Sequence, residues 1–145
     1  MERYLLQTLL LFLVFVAALR SGGKAERYVA SVYVAMHSLL SVYIFSLDRD
    51  LAGYTGIHFF RLFLDVVALL IVVRIAVIYD RWWTLWVGSA QFIAVMAHLL
   101  RMLGMPIPPL AYAVMERWPV WIAIALTGLG TWLYSRRCAG TVSDT

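Results

Sequence analysis

The stretch from Phe59 to Arg81, FFRLFLDVVALLIVVRIAVIYDR, constrains this chain more than any other. It is nearly all Leu, Ile, Val, Phe and Ala. It is also long enough to cross a bilayer, which takes about 20 apolar residues at 1.5 Å rise each. Yet Arg61, Asp65 and Arg74 stand inside the run. A charge at the bilayer centre costs about 2.5–3.5 kcal/mol even on lenient insertion scales, so such residues face protein or water and take partners. The sequence therefore predicts a lipid-embedded helix with a functional spot near Arg61 and Asp65.

Composition extends that reading to the whole chain. Of 145 residues, 63% are hydrophobic and 14% charged, against about 45–50% and about 25% in soluble domains. Lipid can solvate that much apolar surface, whereas a soluble fold of this size cannot hide it. The expected fold class is an all-α integral membrane protein, a single domain over 1–145. The net charge of +4 is scattered rather than gathered into a patch, which argues against nucleic-acid partners. It is better read as topology and contact with anionic headgroups. One cysteine, Cys138, excludes an internal disulfide framework and a multi-cysteine metal site.

Apolar periodicity places five transmembrane helices at about 4–19, 28–47, 59–79, 82–103 and 118–134. A short interfacial helix is expected over 110–117 and a polar, frayed tail over 135–145. The first segment also has the length of a signal peptide, whose cleavage would leave four spans. Its leading MERY is not strongly basic and no small-x-small site follows Leu19, so a retained helix is expected. Ser21-Gly22-Gly23 breaks the first helix, and Lys24, Glu26 and Arg27 read as a solvated turn. Asp48-Arg49-Asp50 and LAGYTGIH read as the second loop, and Asp80-Arg81 as a tight turn between antiparallel helices. Trp82, Trp83 and Trp86 fit an interfacial aromatic belt. Gly88, Ala90, Ala94 and Ala97 lighten the fourth helix for packing, and Ser31, Ser38 and Ser41 suggest interhelical hydrogen bonds. Gly104, Pro106, Pro108 and Pro109 end that helix.

Five spans put the termini on opposite sides. Arg20, Lys24, Arg27, Arg81, Arg136 and Arg137 gather at one face, and Arg3, Arg49 and Arg117 at the other. The positive-inside rule then gives N-terminus out and C-terminus in, in a bacterial-type inner membrane.

Depth brings the polar residues together. Asp65 lies about six residues, roughly 9 Å, from the outer end of its helix, and His98 about five residues, roughly 7.5 Å, from the outer end of its own. Arg61 and Asp65, four apart, are expected to pair directly. Gln91 and His98, seven apart, share a stripe with Arg101 close by. His37 extends the cluster inward, and Arg74, on another face, snorkels. The candidate ligand- or ion-binding residues are thus Arg61, Asp65, His98, Arg101, His37 and Gln91.

Such a cluster can be a structural network fixing helix register. It can also be a pocket for a lipid headgroup, quinone or small anion held by the arginines, or a proton- or ion-handling site through Asp65 and His98. Haem b ligated by His37 and His98, with Arg101 on a propionate, is a secondary reading. The two histidines differ in depth by roughly 7 Å. Asp48, Asp50 and His58 match no EF-hand or zinc spacing, so no metal is expected, and no nucleophile elbow, phosphate loop or HExxH is present. The leading expectation is a small non-enzymatic protein acting by helix contacts within the membrane, as an accessory or assembly subunit partnering another membrane protein, or as a homo-oligomer. The alternative is a ligand-binding or ion-handling protein using the polar cluster.

Overall fold

The computed structural model describes residues 2–46, 54–106 and 108–142, which form five helices and no strand. They are α1 (Glu2–Ser21), α2 (Lys24–Ser46), α3 (Tyr54–Tyr79), α4 (Trp82–Met102) and α5 (Pro109–Val142). Two stretches, Phe59–Tyr79 and Trp82–Met102, are long and apolar enough to cross a membrane, and Leu5–Ser21 is a shorter apolar helix. Asp48, Arg49 and Asp50 lie outside the described residues, as does the side chain of His58.

Local chemistry sets the breaks. Gly22 donates to the Ala18 carbonyl at 2.9 Å as α1 ends. Between α3 and α4, Asp80 takes a left-handed φ of 46°, a conformation that Asp tolerates better than most residues. At the end of α4, Gly104 has φ 70°. Its N–H bonds the Arg101 carbonyl at 3.1 Å, and that of Met105 bonds the Leu100 carbonyl at 3.2 Å. This is the paired closure of a Schellman cap, which needs a left-handed residue where Gly104 stands.

Two boundaries differ from the sequence reading. Helix α3 starts at Tyr54, so part of LAGYTGIH is helical rather than loop. Helix α5 is continuous, joining the expected interfacial helix, the fifth span and most of the expected tail. Pro109 starts it, at a position where the missing N–H costs nothing. Pro119 lies inside it, so the Met115 carbonyl loses its usual donor without the helix ending. Beyond Tyr134 the helix is held by Ser135 Oγ donating to the Trp132 carbonyl at 2.8 Å. Arg136 also stacks 4.2 Å from the Trp132 ring.

Each helix packs on its sequence neighbours, and α5 closes the ring onto α1 while also meeting α2. The core runs through Leu11, Val29, Tyr33, Val72, Ile75, Trp83, Val87 and Ile124. Gly88, Ala90, Ala94 and Ala97 are all buried, so the light face of α4 does point inward. Three other expectations change. Trp83 is core, at 3% exposure, whereas Trp82 and Trp86 face outward. Glu26 is buried at 2% rather than solvated. Ser31 and Ser41 bond back to the carbonyls of Arg27 and His37 at 2.7 and 2.8 Å, a use of hydroxyls within one helix.

Trp83 is admitted by a glycine on α5. A Cβ at Gly130 would sit 2.9 Å from Trp83 Cε2, whereas one at Gly88 would meet nothing nearer than Val72 Cγ1 at 3.7 Å. Gly130→Ala is therefore expected to destabilise by about 1–3 kcal/mol through overpacking. Gly88→Ala should be neutral or gain up to about 1 kcal/mol of helix propensity. Unfolding of the two purified variants checks this, and the reverse order would refute the packing account.

Candidate functional site

A carboxylate buried in the most apolar helix must find donors. Asp65, 8% exposed, finds them on α4. Gln91 Nε2 donates to its Oδ1 at 2.8 Å and to its backbone carbonyl at 3.3 Å. His98 Nε2 meets its Oδ2 at 3.1 Å. Two residues about two turns apart on one helix thus clasp a single carboxylate on its neighbour.

The network continues on both sides. Tyr33 of α2 donates its hydroxyl to Gln91 Oε1 at 2.9 Å. That bond and the carboxylate together fix the amide's orientation, because only the nitrogen can donate to Asp65. With the proton of His98 on Nε2, toward the carboxylate, its Nδ1 accepts from the Tyr112 hydroxyl of α5 at 3.1 Å. The two rings meet edge-on, 5.9 Å between centroids, and the Arg101 guanidinium lies 4.4 Å from the Tyr112 ring centre. The chain Tyr33–Gln91–Asp65–His98–Tyr112 therefore ties α2, α3, α4 and α5. Helix α1 joins separately, through Thr8 Oγ1 at 2.9 Å from His37 Nε2.

Beside this network lies a cavity of about 1330 Å³ to which all five helices contribute. It occupies the end of the bundle where α3 and α5 begin and α2 and α4 finish. Its polar lining includes Gln7, His37, Arg61, Asp65, Gln91, His98 and Arg117, and its apolar lining includes Met36, Leu40, Leu64, Val114, Trp118 and Trp121. Pockets for small molecules are commonly about 300–1,000 Å³, so this one has room for a substantial ligand.

Of the residues singled out from sequence, Asp65, Gln91 and His98 are in direct contact, and Arg61 and His37 face the same cavity. Arg101 does not line it and instead covers Tyr112. The carboxylate oxygens of Asp65 meet Gln91 and His98 of α4. Arg74 is exposed. For haem b, Nε2 of each histidine is already engaged, by Thr8 and by Asp65, so iron ligation would require breaking both contacts. Among the described residues, no three metal-ligating side chains gather.

Sequence reasoning missed Thr8, Tyr33 and Tyr112. Tyr33 carried a usable signal, since it stands four residues before His37 and so on the same helix face. No protein-family model, curated protein or solved structure matches this chain, so function must be argued from the site itself.

The network makes a coupling prediction. Gln91→Leu leaves the Tyr33 hydroxyl and one Asp65 oxygen without their partner and should cost about 1–3 kcal/mol. Tyr33→Phe alone should cost about 1 kcal/mol. In the double variant the two losses should overlap by at least about 0.5 kcal/mol. Strict additivity in unfolding measurements would mean that the Tyr33–Gln91 bond contributes nothing.

Proposed function

We propose that this protein is a five-span integral membrane protein that binds an amphiphile, of lipid or quinone type, in the cavity beside Asp65. The observation that carries the reading is the cavity's mixed lining of charged and apolar side chains. Arg61, Arg117 and His37 suit an anionic or carbonyl-bearing head, because charged donors make strong bonds to such acceptors. Met36, Leu40, Trp118 and Trp121 suit an apolar body. The oxygens of Asp65 are engaged by Gln91 and His98, which leaves Arg61, Arg117 and His37 to meet the head.

The exterior supports the membrane setting. Phe12, Leu9, Phe63, Leu70, Val77, Ile78, Leu85 and Phe92 are all exposed, and exposed apolar surface on this scale suits a membrane or protein contact. Lipid covers it in this reading, with the N-terminus and the cavity outside and the C-terminus inside. The same exterior would also serve an accessory subunit or homo-oligomer, which acts by helix contacts and leaves the cavity without a role.

Native mass spectrometry of protein gently extracted from its own membrane separates these readings. A retained mass of lipid or quinone size is expected, falling about tenfold in occupancy in Arg61→Gln or Arg117→Gln, as loss of a charged hydrogen bond implies. A bound polypeptide with no small mass would favour the accessory-subunit role, and bare protein would sink the ligand reading. Topology is tested through Cys138, the single, exposed thiol. A membrane-impermeant maleimide should label it in inside-out vesicles and spare it in intact cells. Labelling from outside would reverse the orientation.

A further inference from the structure

The opposite end of the bundle carries a second, smaller cleft of about 180 Å³, where the α1–α2 and α3–α4 turns meet the last turns of α5. Four charged side chains line it: Glu26, Asp80, Arg81 and Arg137. None of them is ion-paired among the described residues. Glu26 is the telling one. It is 2% exposed, and its Oε2 is buried with no hydrogen-bond partner. Such an atom loses its hydration on folding and is costly until a donor reaches it. Gly23 keeps the space beside it open, since a Cβ there would lie 2.9 Å from both Glu26 Oε2 and Tyr134.

A group that donates hydrogen bonds and carries positive charge would complement Glu26, and the aromatic rings of Trp83 and Tyr134 on the same cleft favour a cation further. Arg81 and Arg137 would repel a simple cation, but they would hold a phosphate. Two acids and two bases around one cleft match a ligand that carries both signs. We propose that this cleft binds a phosphoethanolamine group, its primary ammonium on Glu26 and Asp80 and its phosphate between Arg81 and Arg137. A primary ammonium fits where a quaternary one does not, because Glu26 Oε2 needs an N–H. The volume equals about six waters at roughly 30 Å³ each, the scale of a headgroup rather than a whole lipid. A lipid as the source rests on the membrane reading above; the chemistry of the cleft does not.

The test is native mass spectrometry of the full chain in detergent with added phosphatidylethanolamine, phosphatidylcholine or phosphatidylglycerol, each with the same acyl chains. Phosphatidylethanolamine should be retained about tenfold better than phosphatidylcholine, as loss of charged hydrogen bonds predicts. Glu26→Gln should abolish the preference while Arg61→Gln leaves it intact. Should Glu26→Gln fail to fold, Arg137→Gln, on the exposed end of α5, must cut retention by a similar factor. Displacement by free phosphoethanolamine at matching concentration would identify a soluble source, and resistance to it a lipid source. Equal retention of the three lipids, or an Arg137→Gln variant that retains phosphatidylethanolamine as well as the parent protein does, overturns the proposal. Loss of phosphatidylethanolamine retention in Arg61→Gln but not in Glu26→Gln would place the lipid in the large cavity and overturn only this inference.

Discussion

The structure depends on one buried carboxylate. Asp65 sits on the most apolar helix of the chain, and an ionised carboxylate left there without donors would cost several kcal/mol. Its donors come from α4, and they come from two turns rather than one. Gln91 and His98 can both reach Asp65 in only one register of α4 against α3. A slide of one residue along either helix would break at least one bond. The pair is extended by Tyr33 and Tyr112, so the register of α3 on α4 also positions α2 and α5.

The two ends of the bundle are built differently. At the turn-bearing end, Trp83 fills the space that Gly130 leaves, and the core there is closed by large side chains meeting small ones. At the other end, side chains from all five helices, several of them polar, line a cavity. Pro119 lines that opening and lacks the N–H that would complete the turn of α5. The network along Asp65 therefore serves as one wall of a cavity rather than as the centre of a packed core.

The sequence made the α3–α4 hairpin legible because its signals are local: two apolar runs, a two-residue turn and a stripe of small residues. Spacing also brought Asp65, Gln91 and His98 together, since seven residues return to one helix face and hairpin geometry matches their depths. Local rules failed where distant chain decides. The i, i+4 rule looks only along α3, whereas Gln91 and His98 reach Asp65 from α4. Aromatic belts explain Trp at a span end by depth, and depth does not say which face of α4 carries Trp83. Glu26 read as solvated because turns are, whereas the last turns of α5 cover it from more than a hundred residues away. The sequence reading split an interfacial helix from the fifth span between Arg117 and Trp118, yet α5 runs through both, Pro119 included.

The cavity is what favours the ligand-binding reading over the helix-contact one. Its lining sets Arg61, Arg117 and His37 beside Met36, Leu40, Trp118 and Trp121. Water alone could satisfy Gln7, His37, Arg61 and Arg117, but it would leave Met36, Leu40, Trp118 and Trp121 hydrated at a cost of about 25 cal/mol for each Å² of apolar surface. Lipid tails alone would cover those side chains and strand the arginines. A helix-contact protein has no use for such a space and would gain stability by closing it with larger residues at Ala94 or Ala113, both on its wall. In the proposed reading, a molecule with a polar head and an apolar body would satisfy both kinds of side chain at once, and a membrane would supply such molecules.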